Sequence, residues 1–225
     1  MRWFFILVLV LHLTACGIAP RQSGGDILVI GDSVLAWNRT SGQDVGHVIG
    51  AALGRDVVSR AALGARLRSG GLGALGGLSI PDQLSAGPWN WVVMNGGAND
   101  LGFACGCTQC DDEIDQLIAP AAQNGAIPDL IARARATGAR VLWVGYYEAP
   151  TSRSFQGCRP GLVELERRIA IYAGAKEGVY FIDAEDVLDP AVPALLASDR
   201  THPSAAGSAL IGRFIAREIA TRSGG

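Results

Sequence analysis

The sequence predicts an α/β protein, a three-layer α/β/α sandwich around a mainly parallel five-stranded sheet. Three observations predict it. Short apolar runs alternate with longer stretches of helical periodicity, the pattern of repeated strand-helix-strand units. At 225 residues, with 49% hydrophobic and 18% charged residues, the chain suits one globular domain able to bury a core. No internal repeat divides it into smaller units.

Taken in chain order, the first element is an address rather than part of the fold. Arg2 precedes the apolar run Trp3 to Leu11, which is well short of the roughly 20 residues needed to span a bilayer. Residues 1–15 therefore read as a signal peptide. The run ends in Leu13-Thr14-Ala15-Cys16, which resembles the lipobox of bacterial lipoproteins, and the resemblance implies that Cys16 is lipidated and becomes the new N-terminus. The alternatives are an ordinary secretory signal or a buried apolar start, with Cys16 incidental. Several acyl chains would hold the protein stably on a lipid bilayer. No Asp follows Cys16, which in a Gram-negative cell implies the outer membrane. Residues 16–25, small, polar and proline-containing, read as a tether, and the domain proper is expected over 26–225.

Within that domain the expected strands are Ile27 to Ile30, Val57 to Ser59, Trp91 to Asn95, Val141 to Gly145 and Val179 to Ile182. Helices are expected at Val45 to Leu53, Ile114 to Ala122, Pro128 to Thr137 and Leu162 to Ala173. A last helix is expected from Pro203 to Thr221. The glycine-rich piece from Gly64 to Gly77 reads as loop or irregular helix; it lacks the strand-then-helix context of a phosphate loop. Formal net charge is −2, and the cations are scattered, Lys176 being the single lysine. That excludes nucleic acid as the main partner, since phosphate binding draws on clustered Lys and Arg.

In open α/β sheets, ligands bind beyond the carboxyl ends of the strands. A serine alcohol needs a base to become a nucleophile, and the usual base is a histidine held by a carboxylate. Past the signal segment only His47 and His202 remain. His47 falls within an expected amphipathic helix, where a surface or packed histidine is the ordinary reading. His202 sits before Pro203, which at a first helical position leaves His202 on the preceding loop, and Asp199 lies three residues earlier. An Asp-x-x-His pair alone means little. Its weight comes from Ser33, where the first strand runs straight into Gly31-Asp32-Ser33-Val34.

Here the sequence resembles the GDSL/SGNH hydrolase family, in four blocks that recur in order. Gly31-Asp32-Ser33-Val34 resembles the first, with Val34 in place of the usual leucine. Gly64 resembles the glycine of the second, Gly97-Ala98-Asn99-Asp100 the third, and Asp199-Arg200-Thr201-His202 the last. The resemblance implies the flavodoxin-like SGNH fold and a catalytic triad of Ser33, Asp199 and His202. It implies an oxyanion hole from the Ser33 and Gly64 N-H groups and the Asn99 amide. Ser33 would also have a helix dipole behind it, and Gly64, lacking a Cβ, would allow close approach. Asp100 reads as a structural capping residue. The chemistry implied is ester hydrolysis through an acyl-enzyme, by an esterase, deacetylase, thioesterase or lysophospholipase, with no metal or organic cofactor. A noncatalytic glycan- or lipid-binding module and an acyltransferase are the alternatives. No Gly-x-Ser-x-Gly elbow occurs, which argues against the α/β-hydrolase fold.

Cys105, Cys107, Cys110 and Cys158 are four further thiols in a chain expected to be exported, so disulfides are the first reading, in any of three connectivities. A zinc cluster is the competing one. Trp37, Tyr146 and Tyr147 read either as pocket walls or as core.

Overall fold

The computed structural model describes residues 26–71, 73 and 76–224; the expected signal segment and Cys16 lie outside them. Five strands form one sheet: β1 Ile27–Ile30, β2 Val57–Ser59, β3 Trp91–Met94, β4 Arg140–Val144 and β5 Val179–Ile182. Their order is β2-β1-β3-β4-β5, and every pairing is parallel. Every residue of β1 and β3 is buried, whereas the edge strands β2 and β5 are partly exposed. Continuous apolar runs are what central strands covered on both faces require. Three ends move by one residue. Asn95 lies just past β3, and β4 runs from Arg140 rather than Val141 and stops before Gly145.

The helices are α1 Ser33–Ala36, α2 Val45–Leu53, α3 Ile80–Gln83, α4 Ala98–Ala104, α5 Asp111–Leu117, α6 Ala126–Arg135, α7 Arg159–Gly174 and α8 Ala205–Ser223. α2 and α8 pack on each other, while α5, α6 and α7 form a second group that meets β4 and β5, giving the three layers. Helices α1, α3 and α4 are too short for periodicity to reveal them. The expected start of α6 at Pro128 falls inside the first turn, a position where the missing N-H would have had no partner anyway. The helix expected over Ile114 to Ala122 instead starts at Asp111 and ends at Leu117, and Ala122 adopts φ +52° in the turn beyond it.

Pro203 is not the first residue of α8. Ser204 caps that helix, its hydroxyl accepting from Gly207 N at 3.2 Å, a stronger start signal than proline. Pro203 instead pairs with Leu196 in an isolated antiparallel bridge. Among the described residues no helix is long and apolar enough to cross a membrane.

Candidate active site

The strand order reverses between β1 and β3, the switch point at which doubly wound sheets open a crevice. The turn after β1 is built into the core. Gly31 has φ +146°, and a Cβ there would stand 1.9 Å from Asn95 Oδ1, so only glycine fits. Gln83 bonds both of its backbone groups, accepting from Gly31 N at 2.6 Å and donating to Gly31 O at 3.0 Å. Asn95 holds the next residue by backbone and side chain, accepting from Asp32 N at 3.0 Å and donating to the carboxylate Asp32 Oδ1 at 2.9 Å. Asp32 caps α1 by accepting from Val34 N at 3.0 Å, and the Tyr146 hydroxyl donates to its other oxygen at 2.5 Å. Burial pushes the Asp32 carboxyl above its ordinary range against these hydrogen bonds, and burial beside Asp32 keeps Tyr146 a phenol.

Ser33 follows, buried, at the first position of α1. α1 is a single turn, so the expected dipole contribution is small, and the local donor is the Ser33 N-H itself. Ser33 Oγ lies 2.8 Å from His202 Nε2, and His202 Nδ1 lies 2.6 Å from Asp199 Oδ2. The other Asp199 oxygen accepts from Thr201 N and His202 N, both at 3.0 Å. The intervening Arg200 takes φ +58°, which closes the tight turn between carboxylate and imidazole. Burial raises the Asp199 carboxyl, but the imidazole and amide bonds outweigh it and hold the group below its ordinary 3.8. The Trp37 ring stacks on the imidazole, centroids 3.8 Å apart and planes 5° from parallel. The loop is further tied by Tyr147 OH donating to Thr201 O at 2.8 Å and Asn38 Nδ2 donating to Pro203 O at 3.1 Å.

Asn99 heads α4 beside Ser33 in the wall of one cavity, and its amide donates to Ala65 O at 3.0 Å. The second amide hydrogen is left for another acceptor. That bond sets Asn99 against the loop carrying Gly64. Gly64 is exposed, and a Cβ there would meet no protein atom within 4 Å, so no contact inside the protein requires glycine here. The reason is φ +74°, which turns the loop. Asp100 accepts from Leu67 N at 3.0 Å and Arg68 N at 2.8 Å, pinning that loop rather than its own turn. Burial pushes its carboxyl up to about 6 against those bonds.

The four cysteines form two disulfides, Cys105 with Cys110 and Cys107 with Cys158. All four thiols are thereby used, which leaves none as a thiolate ligand for the zinc alternative. The second bridge ties the loop after α4 to the start of α7, where Phe155, Gly157, Cys158 and Arg159 wall the cavity beside Ser33.

With this geometry in hand, comparison with known proteins is informative. The model of the GDSL-like lipase/acylhydrolase family matches residues 29–210. The chain belongs to this family. Among solved structures, a Mycobacterium smegmatis aryl esterase aligns at TM-score 0.63 and 18% identity over 87% of this chain and 98% of its own. A carbohydrate acetylesterase from Sinorhizobium meliloti aligns at TM-score 0.63 and 19% identity, covering 87% and 98%. A GDSL-like lipase from Bacteroides thetaiotaomicron aligns at TM-score 0.59 and 18% identity, covering 87% and 88%. At such identities these neighbours establish the SGNH hydrolase fold. Among curated proteins none matches.

This GDSL-like domain uses residues the sequence reading left without a role. Gln83 and Asn95 clamp the turn before Ser33, and Tyr146 joins three strand ends. Besides Asp32, its hydroxyl accepts from Ala98 N at 3.1 Å, next to Asn99, and its backbone N donates to Glu166 at 2.5 Å. The one sequence signal for Asn95 is a polar side chain closing an apolar run.

Proposed function

We propose that this protein is an exported serine hydrolase of carboxylic esters, with Ser33 as nucleophile, His202 as base and Asp199 as the group that orients and charges the imidazole. The single observation supporting it most is the unbroken hydrogen-bonded chain from Ser33 Oγ through His202 to Asp199, opening on a cavity that also holds Asn99. Ser33 Oγ attacks the ester carbonyl as its proton passes to His202 Nε2. The carbonyl oxygen becomes an oxyanion facing the Ser33 and Gly64 N-H groups and the Asn99 amide, donors worth roughly a hundred- to a thousandfold each. Collapse breaks the bond to the alcohol, which leaves with the proton from Nε2. Water then gives its own proton to Nε2, attacks the acyl-enzyme, and releases the acid and free Ser33.

An ester series assayed on wild type and Ser33→Ala tests this. We expect turnover to fall by about a millionfold, as when a triad serine is removed elsewhere. Hydrolysis surviving at the wild-type rate would end the mechanism.

For location, we propose a lipid anchor at Cys16 facing the periplasm or cell exterior. The paired cysteines support an oxidising compartment. In Cys16→Ser the protein is expected to move from the membrane to the soluble fraction; unchanged membrane association would remove the anchor.

A further inference from the structure

The cavity beside Ser33 opens to solvent and has a volume of about 120 Å³. An acetyl group would fill only part of it, since an apolar cavity of about 150 Å³ takes a benzene-sized group. Its wall is largely apolar: Val34, Ala98, Phe155, Leu162 and the rings of Tyr146 and Tyr147. The most buried polar groups around it are already engaged within the protein. The Tyr146 hydroxyl bonds Asp32 and Ala98, the Tyr147 hydroxyl bonds Thr201 O, and Arg159 pairs with Glu166 and Glu185. A sugar bound here would lose its water and find few free partners, which is unfavourable. An apolar chain meets no such loss. Glu148 and Gln156 are less buried than the tyrosines and leave polar character toward solvent.

We infer that this cavity takes an apolar acyl chain of several carbons and that Phe155 and Leu162 set its length. The inference rests on the ester-hydrolase reading for the position of the carbonyl and adds which esters are preferred. The acyl group is the part of the substrate held through both half-reactions, while the alcohol must leave after the first. A walled recess next to the nucleophile suits the part that stays. The wall is fixed in place: the Phe155 ring lies against Gly102, where a Cβ would be 3.3 Å from it, and the Cys107 to Cys158 bridge closes the same segment. Leu162 faces the cavity from the first turns of α7.

The test is a p-nitrophenyl series from acetate through butyrate, hexanoate and octanoate to decanoate, with a parallel series of acetyl esters of lengthening alcohols. We expect kcat/KM to rise by up to about fourfold per methylene in the acyl series, to an optimum beyond acetate. Leu162→Trp should move that optimum to shorter chains, and Phe155→Ala to longer ones. Phe155 is only half-buried, so its variant guards against misfolding of the other. An acetate optimum unmoved by both variants, or a length gain confined to the alcohol series, would overturn the inference while leaving the hydrolase reading intact. Ester cleavage that does not depend on Ser33 would instead sink the hydrolase reading. The cavity is then judged alone by titrating heptyl methyl ketone into Ser33→Ala and following tryptophan fluorescence. Saturable binding weakened by Leu162→Trp supports an apolar chain site, and no binding removes it.

Discussion

Two Asp-x-x-His pairs occur in this molecule, and they share their local geometry. In one, Asp44 accepts from His47 N at 2.9 Å and meets His47 Nδ1; in the other, Asp199 accepts from His202 N at 3.0 Å and meets His202 Nδ1 at 2.6 Å. What differs is the far side of each ring. His202 turns Nε2 to Ser33 and its face to Trp37, and its side chain is 17% exposed. His47 is 56% exposed on α2, and its Asp44 is a helix cap, fully buried and shared with Arg39. The lesson is that a carboxylate can orient an imidazole anywhere on the surface. A base for catalysis also needs a second segment delivering an acceptor-donor partner to its other nitrogen, here from 169 residues away.

The largest expected effect breaks the likeness outright. Asp199→Asn should lower kcat by about ten-thousandfold, since the imidazole loses the carboxylate that holds its tautomer. Asp44→Ala should leave kcat unchanged and instead cost about 1 to 2 kcal/mol of stability, the worth of a helix cap. Steady-state kinetics beside thermal denaturation separate the two, and a drop under about tenfold for Asp199→Asn would show that it is not the orienting group.

A middle effect tests whether placement of Ser33 matters as much as orientation of His202. Tyr146→Phe removes the hydroxyl between Asp32 and Ala98, the links toward Ser33 and Asn99. We expect kcat to fall about ten- to a hundredfold with KM little changed, because both groups serve the transition state rather than ground-state binding. A matching rise in KM would mean that the ring acts only as cavity wall.

The last effect lies outside both pairs and concerns stability alone. Burial pushes the Glu166 carboxyl from 4.5 up to about 7, with Tyr146 N pulling the other way and Asp183 adding to the rise. The folded protein therefore binds this proton more tightly than the unfolded chain does. Its contribution is full below the unfolded value and is lost as pH rises toward 7. Glu166→Gln should flatten the fall in Tm across that window, by an amount equivalent to about 1 to 3 kcal/mol. Parallel melting profiles for variant and wild type would show that Glu166 does not titrate there.

Much of this was legible in the residues. β1, β2, β5 and α2 fall where the apolar pattern puts them, because a buried strand or an amphipathic helix writes its period into adjacent residues. Pro203 misled at the start of α8, since Ser204 beside it is the better cap. Helices of one or two turns such as α1 and α4 leave too short a pattern to read. The disulfide partners were equally beyond reach, because spacing permits three connectivities and the meeting of two loops selects one.

The order of the motif blocks and the apolar strand pattern were enough to determine the sheet, the family and the residue types able to do chemistry. Only the tertiary structure decided that Gln83, Asn95 and Tyr146 brace the turn before Ser33, and that Phe155 and Leu162 wall the cavity beside it. Those contacts join segments distant in sequence, and their strength comes from burial and hydrogen-bond geometry that exist only once the chain has packed.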